Sequence, residues 1–382
     1  MINTFLTFVN FLKLKSYYLK KKFNKNLLPL KVTIALTFLC NSQCKSCKIW
    51  KIYKNNPEKL KKELSLKEWK KIFDELKDVL WLEFTGGEPF LKKDIEKILV
   101  YAFNKTNLIA AGISSNAVNP IKSFNSIKKI IENIPKHKIM NVAISLDGDP
   151  KKHNNVRGVN GNFENAMWLY KNLKILQQKY KNLKVRFTYT ISKWNAGNYL
   201  KTYKYLHKNF REATEDFSNF VLQHFTDFYN LPNREKNFYK KMRKKIYDDV
   251  INYTKIMNEK KVKKDFYSKI RHAFYIYYAK KILIFINNPK KMILPCYAGT
   301  DSAYIDPYGN VYPCLSWNIK LGNLKEKSFR EIWFDKKAEK IRKLIKKEKC
   351  PNCWTPCEAQ HNWFVNCLNL KNIFRLLKNE QK

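Results

Sequence analysis

Apolar residues along this chain gather in short runs at 32–38, 80–85, 108–114, 140–146, 184–191 and 219–225, each running into a polar or glycine-containing turn. Runs of that length and shape predict strands. Between them the apolar positions follow a helical period. The clearest case is 65–79, where Leu66, Trp69, Ile72, Phe73, Leu76 and Val79 share a face and Ser65 and Glu68 have capping-box spacing. Strand alternating with helix predicts an α/β fold of parallel strands joined by right-handed crossovers. Six such units predict an open, partial (β/α)6 barrel with functional residues at the carboxyl ends of the strands.

At 382 residues the chain exceeds the usual size of a single core. The pattern divides it into a basic amphipathic extension (1–30), the barrel (31–228), a Lys- and Tyr-rich helical connector (229–290), a small cysteine-rich unit (291–370) and a basic tail (371–382). In the extension, Ile2, Phe5, Leu6, Val9 and Leu12 fall on one helical face, and Lys13, Lys15, Lys20, Lys21 and Lys22 follow. The uncharged run is too short to span a bilayer and lacks the basic start of a secretory signal. Two readings stay open for residues 2–22: peripheral contact with an anionic membrane surface, or packing on the barrel. The expected location is cytoplasmic, with that membrane contact as the alternative.

The net charge of +43 invites a nucleic-acid reading. Lysine, however, supplies 66 of the 75 basic residues and is spread along the whole chain, whereas base-edge readout favours the Arg fork. Solvated faces and a compositional bias account for it, and no specific nucleic-acid partner is expected.

The chemistry begins at Cys40, Cys44 and Cys47, a C-x3-C-x2-C run directly after the first strand. A [4Fe–4S] cluster usually takes four thiolates, so three in one loop leave an iron open to a non-protein ligand. Zinc, which needs a fourth ligand nearby, and three small buried hydrophobes are the competing readings. A second motif, LWLEFTGGEP, carries a strand into Gly86, Gly87, Glu88 and Pro89. Paired glycines let backbone approach a ligand, and an acidic side chain there can hold an ammonium group. Alone it reads equally as a turn.

Together the two motifs resemble the radical S-adenosylmethionine (SAM) enzymes, whose fold is a partial TIM-type barrel. The resemblance implies that Cys40, Cys44 and Cys47 hold a cluster whose unique iron is chelated by SAM, and that Gly86, Gly87, Glu88 and Pro89 bind the methionyl end. It further implies pocket roles for Ser115 and Asn116 in ISSNA, for Ser145 and Asp147 in ISLDG, and for Arg157 in the His-x3-Arg-Gly loop. As residues alone, Asn116 and Asp147 read equally as turn formers. Many members carry an aromatic residue near the adenine where this chain has Ser46, with Ile49 and Trp50 as the nearby substitutes.

The other six cysteines, Cys296, Cys314, Cys350, Cys353, Cys357 and Cys367, all follow residue 290. With no signal peptide read at the amino terminus, disulfides are not expected. Pro307 to Asn310 reads as a hairpin turn leading into Cys314. The pattern resembles the SPASM or twitch extension, which implies an auxiliary iron–sulfur cluster on Cys296, Cys314, Cys350 and Cys353, and a second one if Cys357 and Cys367 take part. The activity so implied is reductive SAM cleavage to a 5′-deoxyadenosyl radical that abstracts hydrogen, with ferredoxin or flavodoxin as the electron donor. The substrate expected first is a peptide, and next a membrane lipid or polyprenyl compound. A non-catalytic iron–sulfur carrier is the rival class, and GGEP argues against it.

Overall fold

The computed structural model describes residues 16, 17, 20, 27–223, 225–229, 238–261, 266–289 and 291–368. The amphipathic face proposed at 2–22 therefore lies almost wholly outside the described residues, as does the basic tail.

The chain runs β1 (Lys31–Thr37), α1 (Lys51–Asn55), α2 (Leu66–Glu75), β2 (Trp81–Gly86), α3 (Ile95–Lys105), β3 (Ala110–Ser115), α4 (Pro120–Glu132), β4 (Ile139–Ser145), α5 (Pro150–Arg157), α6 (Asn162–Lys179), β5 (Leu183–Ile191), α7 (Tyr199–Asn209), α8 (Arg211–Asp216) and β6 (Phe217–Leu222). These six strands lie side by side in sequence order, every neighbouring pair parallel. That is the α/β half-barrel the alternation predicts. The capping box at α2 is formed, with Ser65 and Glu68 exchanging side-chain and backbone bonds.

Burial follows the pleat. On β5, Leu183, Val185, Phe187, Tyr189 and Ile191 are buried, while Lys184, Arg186, Thr188 and Thr190 are half-buried. The apolar row packs outward on the helices: the Tyr170 ring of α6 lies 4.6 Å from that of Phe187. The polar row lines the concave face. Apolar burial on the convex side holds the barrel together and leaves its inner wall free for polar chemistry.

Two long helices, α9 (Phe238–Glu259) and α10 (Phe266–Asn287), form the connector and pack against each other. Next come β7 (Ser302–Ile305), β8 (Asn310–Tyr312), β9 (Gly322–Asn323), α11 (Phe329–Phe334), α12 (Lys336–Lys346) and α13 (Pro356–Leu368). The expected hairpin turn joins β7 to β8, with Gly309 at φ 84° and the Asp306 carboxylate accepting from Tyr308 N and Asn310 N.

This unit is not hung from the barrel by a linker. Residues Ser302 to Ile305 pair in parallel with Lys31 to Ile34, so among the described residues nine strands form one sheet in the order β6-β5-β4-β3-β2-β1-β7-β8-β9. β1 would otherwise present a bare edge, and the hairpin covers it. All seven β1 positions are buried as a result.

Candidate functional site

The cysteine loop is gripped from both sides. On one side, Gly87 N donates to Thr37 O and Glu88 N to Leu39 O, each at 2.8 Å. A Cβ at residue 86 would lie 2.1 Å from Thr37 O and one at residue 87 would lie 2.1 Å from Leu39 O, and Gly86 adopts φ +129°. These glycines therefore serve first to let the end of β2 close on the backbone entering the cysteine loop. The close approach that paired glycines allow is thus made here to the chain's own backbone.

On the other side, Gln43 N and Ser42 Oγ donate to Arg157 O at 3.1 and 3.0 Å, and Lys45 N donates to Val156 O at 2.9 Å. The His-x3-Arg-Gly segment, expected as a loop, is the helix α5. Asp149 caps it by accepting from Lys152 N, Pro150 occupies its first turn, and Gly158 ends it at φ +66°. A Cβ on Gly158 would come within 2.7 Å of Gln43 O, so the cysteine loop rests on the helix end.

Donors surround the sulfurs. Asn116 Nδ2 lies 3.7 Å from Cys40 Sγ, Arg157 Nη1 lies 3.7 Å from Cys44 Sγ, and Ser42 Oγ lies 3.1 Å from Cys44 Sγ. Burial pushes the Cys40 thiol up to about 12 and raises that of Cys47. Buried thiols ringed by N–H and O–H groups fit sulfurs that carry negative charge when a metal cluster is bound.

Glu88 points inward between β2 and β3, accepting from Asn116 N at 2.6 Å, Ser115 Oγ at 3.2 Å and Phe90 N at 3.4 Å. Burial pushes its carboxyl up to about 7. Pro89 is buried in the turn that follows. Asp147 sits 2.7 Å from Arg157 Nε and accepts from Thr190 N at 2.9 Å; burial raises its carboxyl and the guanidinium opposes the shift. Ser145 is half-buried at the end of β4, in register with Thr188.

His153 was not singled out by the sequence, yet it joins these parts. Its Nδ1 accepts from Asp147 N at 2.9 Å and its Nε2 meets Asn162 Oδ1 at 3.1 Å, while Asn162 Nδ2 donates to Asn116 O. Burial lowers it to about 3, so the imidazole is neutral with the proton on Nε2. The signal was its spacing in the motif HNNVRG. Where an adenine-side aromatic was missing, Ser46 O takes Gln223 Nε2 at 2.9 Å, and Trp50 lines a cavity of about 360 Å³ with Cys40, Asn41, Gln43 and Tyr53.

In the carboxy-terminal unit, Cys296, Cys314, Cys350 and Cys353 line one pocket together with Glu358. Ala298 N approaches Cys296 Sγ at 3.5 Å, and burial raises the thiols of Cys296, Cys314 and Cys353. Among the described residues no three Cys, His, Asp or Glu side chains converge on one ion.

Cys357 stands apart from that pocket. It packs against the apolar cluster of Phe38, Phe228 and Tyr304 that Cys40, Cys47 and Tyr229 also flank, and Lys31 Nζ donates to its carbonyl. Burial pushes its thiol up to about 11. The Cys367 side chain lies outside the described residues.

Residues 34–206 match the family model of the radical SAM superfamily, and residues 296–358 match SPASM, an iron–sulfur cluster-binding domain. The chain is 24% identical over 347 residues to an AdoMet-dependent heme synthase of Methanosarcina barkeri, covering 85% of this chain and 88% of that one. It is 24% identical over 373 residues to the antilisterial bacteriocin subtilosin biosynthesis protein AlbA of Bacillus subtilis, covering 93% and 72%. Among solved structures, anSMEcpe with bound AdoMet and the Cp18Cys peptide superposes with a TM-score of 0.55 at 18% identity, covering 83% of each chain.

Proposed function

We propose, from the premise that this chain is a radical SAM enzyme carrying a SPASM domain, that it modifies a peptide inside the half-barrel. The observation that carries the reading is the inner wall. Several of its half-buried positions are polar, among them Glu83, Ser145, Arg186 and Thr188, beside the apolar Trp81, Ile139 and Ala143, which gives a substrate hydrogen-bonding partners along the wall. The names of AlbA and of the peptide-bound anSMEcpe structure support the same substrate class.

Cys40, Cys44 and Cys47 would hold the cluster that SAM chelates, Glu88 with Ser115 and Asn116 would shape the SAM side, and Cys296, Cys314, Cys350 and Cys353 would hold the auxiliary cluster. When bound, the cluster supplies the electron that cleaves SAM, and the adenosyl fragment abstracts hydrogen from the substrate. The chain's own part is orientation: the loop is pinned by Thr37, Leu39, Val156 and Arg157, so the sulfurs and the strand ends keep one geometry through the reaction. A ferredoxin or flavodoxin is the proposed electron donor.

A second reading, a step in heme synthesis, is favoured by the heme synthase relative. Replacing Cys40, Cys44 and Cys47 with Ala should remove roughly four irons per chain and all 5′-deoxyadenosine formation under dithionite, while the auxiliary absorption persists. SAM cleavage by that triple variant would defeat the assignment. Mass spectrometry of peptides and tetrapyrroles incubated with the reconstituted protein separates the two substrate classes.

A further inference from the structure

The geometry points to a substrate-anchoring subsite on the concave wall, formed by Glu83 of β2 and Asn141 of β4, that takes a cationic hydrogen-bond donor such as a lysine ammonium. It rests on the reading of the barrel as a reaction chamber and names the kind of group the chamber holds.

Both residues face inward. Leu82 and Phe84 flank Glu83 and pack into the outer core, as Met140 and Val142 do on either side of Asn141, so the pleat turns Glu83 and Asn141 to the other face. Register then brings them close. Glu83 pairs with Gly112 of β3, and Gly112 pairs with Asn141. The strand between them carries no side chain at that level, and the Glu83 carboxylate lies over it: a Cβ on Gly112 would meet Glu83 Oε2 at 2.1 Å. The carboxylate thus sits about one strand spacing, roughly 5 Å, from the Asn141 side chain. An ammonium bonded to both oxygens at about 2.8 Å each would span that gap.

The two acceptors are incompletely used. Glu83 Oε1 takes Trp81 Nε1 at 2.7 Å, which orients the carboxylate, and Glu83 makes no ion pair among the described residues. Asn141 is 4% exposed and its Oδ1 is buried without a hydrogen-bond partner. Leaving such an acceptor unpaired is unfavourable, and a ligand that donates to it recovers the loss. Glu83 is half-buried and Asn141 Oδ1 is enclosed, so the carboxylate is the group a ligand meets first.

The charge of the whole molecule sharpens the test. At +43 its general field favours anions, and Lys184 of β5 is in register with Asn141, so a preference for a cation must come from Glu83 and Asn141 themselves. The probes are Nα-acetyl-lysine methylamide and its uncharged counterpart Nα-acetyl-norleucine methylamide, titrated calorimetrically into full-length, cluster-reconstituted protein with SAM. The wild type should favour the lysine probe by about tenfold or more. Glu83→Gln should cut that preference to about twofold or less, and Asn141→Leu should weaken the lysine probe alone. Gly112→Ala, which keeps the carboxylate but displaces it, gives a second route to the same loss should Glu83→Gln not fold.

Equal binding of the probes by the wild type, binding of neither, or a lysine preference that survives Glu83→Gln overturns the subsite. Uncoupled 5′-deoxyadenosine formation is read in the same wild-type samples. Its absence in the wild type would count against the radical SAM reading instead, so the two failures are distinguishable.

Discussion

Glu88 shows how one residue can hold two strand ends together at an electrostatic cost. Its carboxyl group, ordinarily near 4.5, is pushed up to about 7 by burial, although backbone and hydroxyl donors oppose the shift. A carboxyl raised in the folded state binds its proton more tightly there than in the unfolded chain. The associated stability is present below the ordinary value and is lost as pH rises from about 4.5 to about 7, because above that range folding buries a charge. Glu88→Gln removes that dependence. The stability difference, variant minus wild type, should therefore grow by roughly 3 kcal/mol between about pH 4 and about pH 8, measured by urea unfolding of the cluster-free protein. A flat difference would mean that Glu88 stays ionised in the fold. The lost hydrogen bonds add only a constant offset.

At the level of elements, α5 and the cysteine loop form one device joined through Arg157. Its carbonyl receives two donors from the loop, its guanidinium faces Cys44 Sγ, and its Nε faces the buried Asp147 at 2.7 Å. Arg157→Met would strand that carboxylate, which costs about 3–5 kcal/mol when a buried pair loses one partner. Melting temperature and loop iron should both fall. The double variant Asp147→Asn/Arg157→Met should recover stability and leave SAM cleavage impaired, because the Cys44 contact stays broken. Full activity in Arg157→Met would show that the loop is held by its backbone bonds alone. Much of this device was legible in the sequence. Strand positions followed from apolar runs, with boundaries off by one to three residues; β6 begins at Phe217, which stacks on Tyr199 at 5.4 Å, and ends at Leu222. The cysteine spacing, GGEP and Arg157 stood out because their residue types are uncommon at such spacing. Other features were hidden because they depend on contacts distant in sequence. The α5 helix is read correctly only when Asp149-Pro150 is taken as a cap, the glycines' backbone neighbours belong to another strand, and His153 acts through Asn162.

For the whole molecule, the pairing of β7 with β1 turns two sequence domains into one sheet. Nothing in the run SAYI announces that Ser302 to Ile305 will find Lys31 to Ile34, about 270 residues earlier, which is why the sequence reads as a separate unit from residue 291. The join is more than a strand pair. Phe228 packs on Tyr304 and Tyr312 at 4.7 and 4.8 Å beneath the cysteine loop, Lys48 N donates to Tyr229 O, and Lys31 reaches the Cys357 carbonyl. Removing residues 291–382 would strip one edge of β1, a strand buried at every position, and expose Phe228 and its aromatic neighbours. A fragment of residues 27–289 should accordingly be insoluble or molten, since an apolar open edge both loses its pairing and invites intermolecular pairing. The full-length protein should melt in one calorimetric transition, and Cys296→Ala should lower that same transition because the auxiliary pocket and the barrel share a sheet. Two separable transitions, or a soluble fragment that still binds iron at Cys40, Cys44 and Cys47, would show that the barrel stands alone. In that event the β7 pairing would be a docking contact whose loss leaves the SAM site intact.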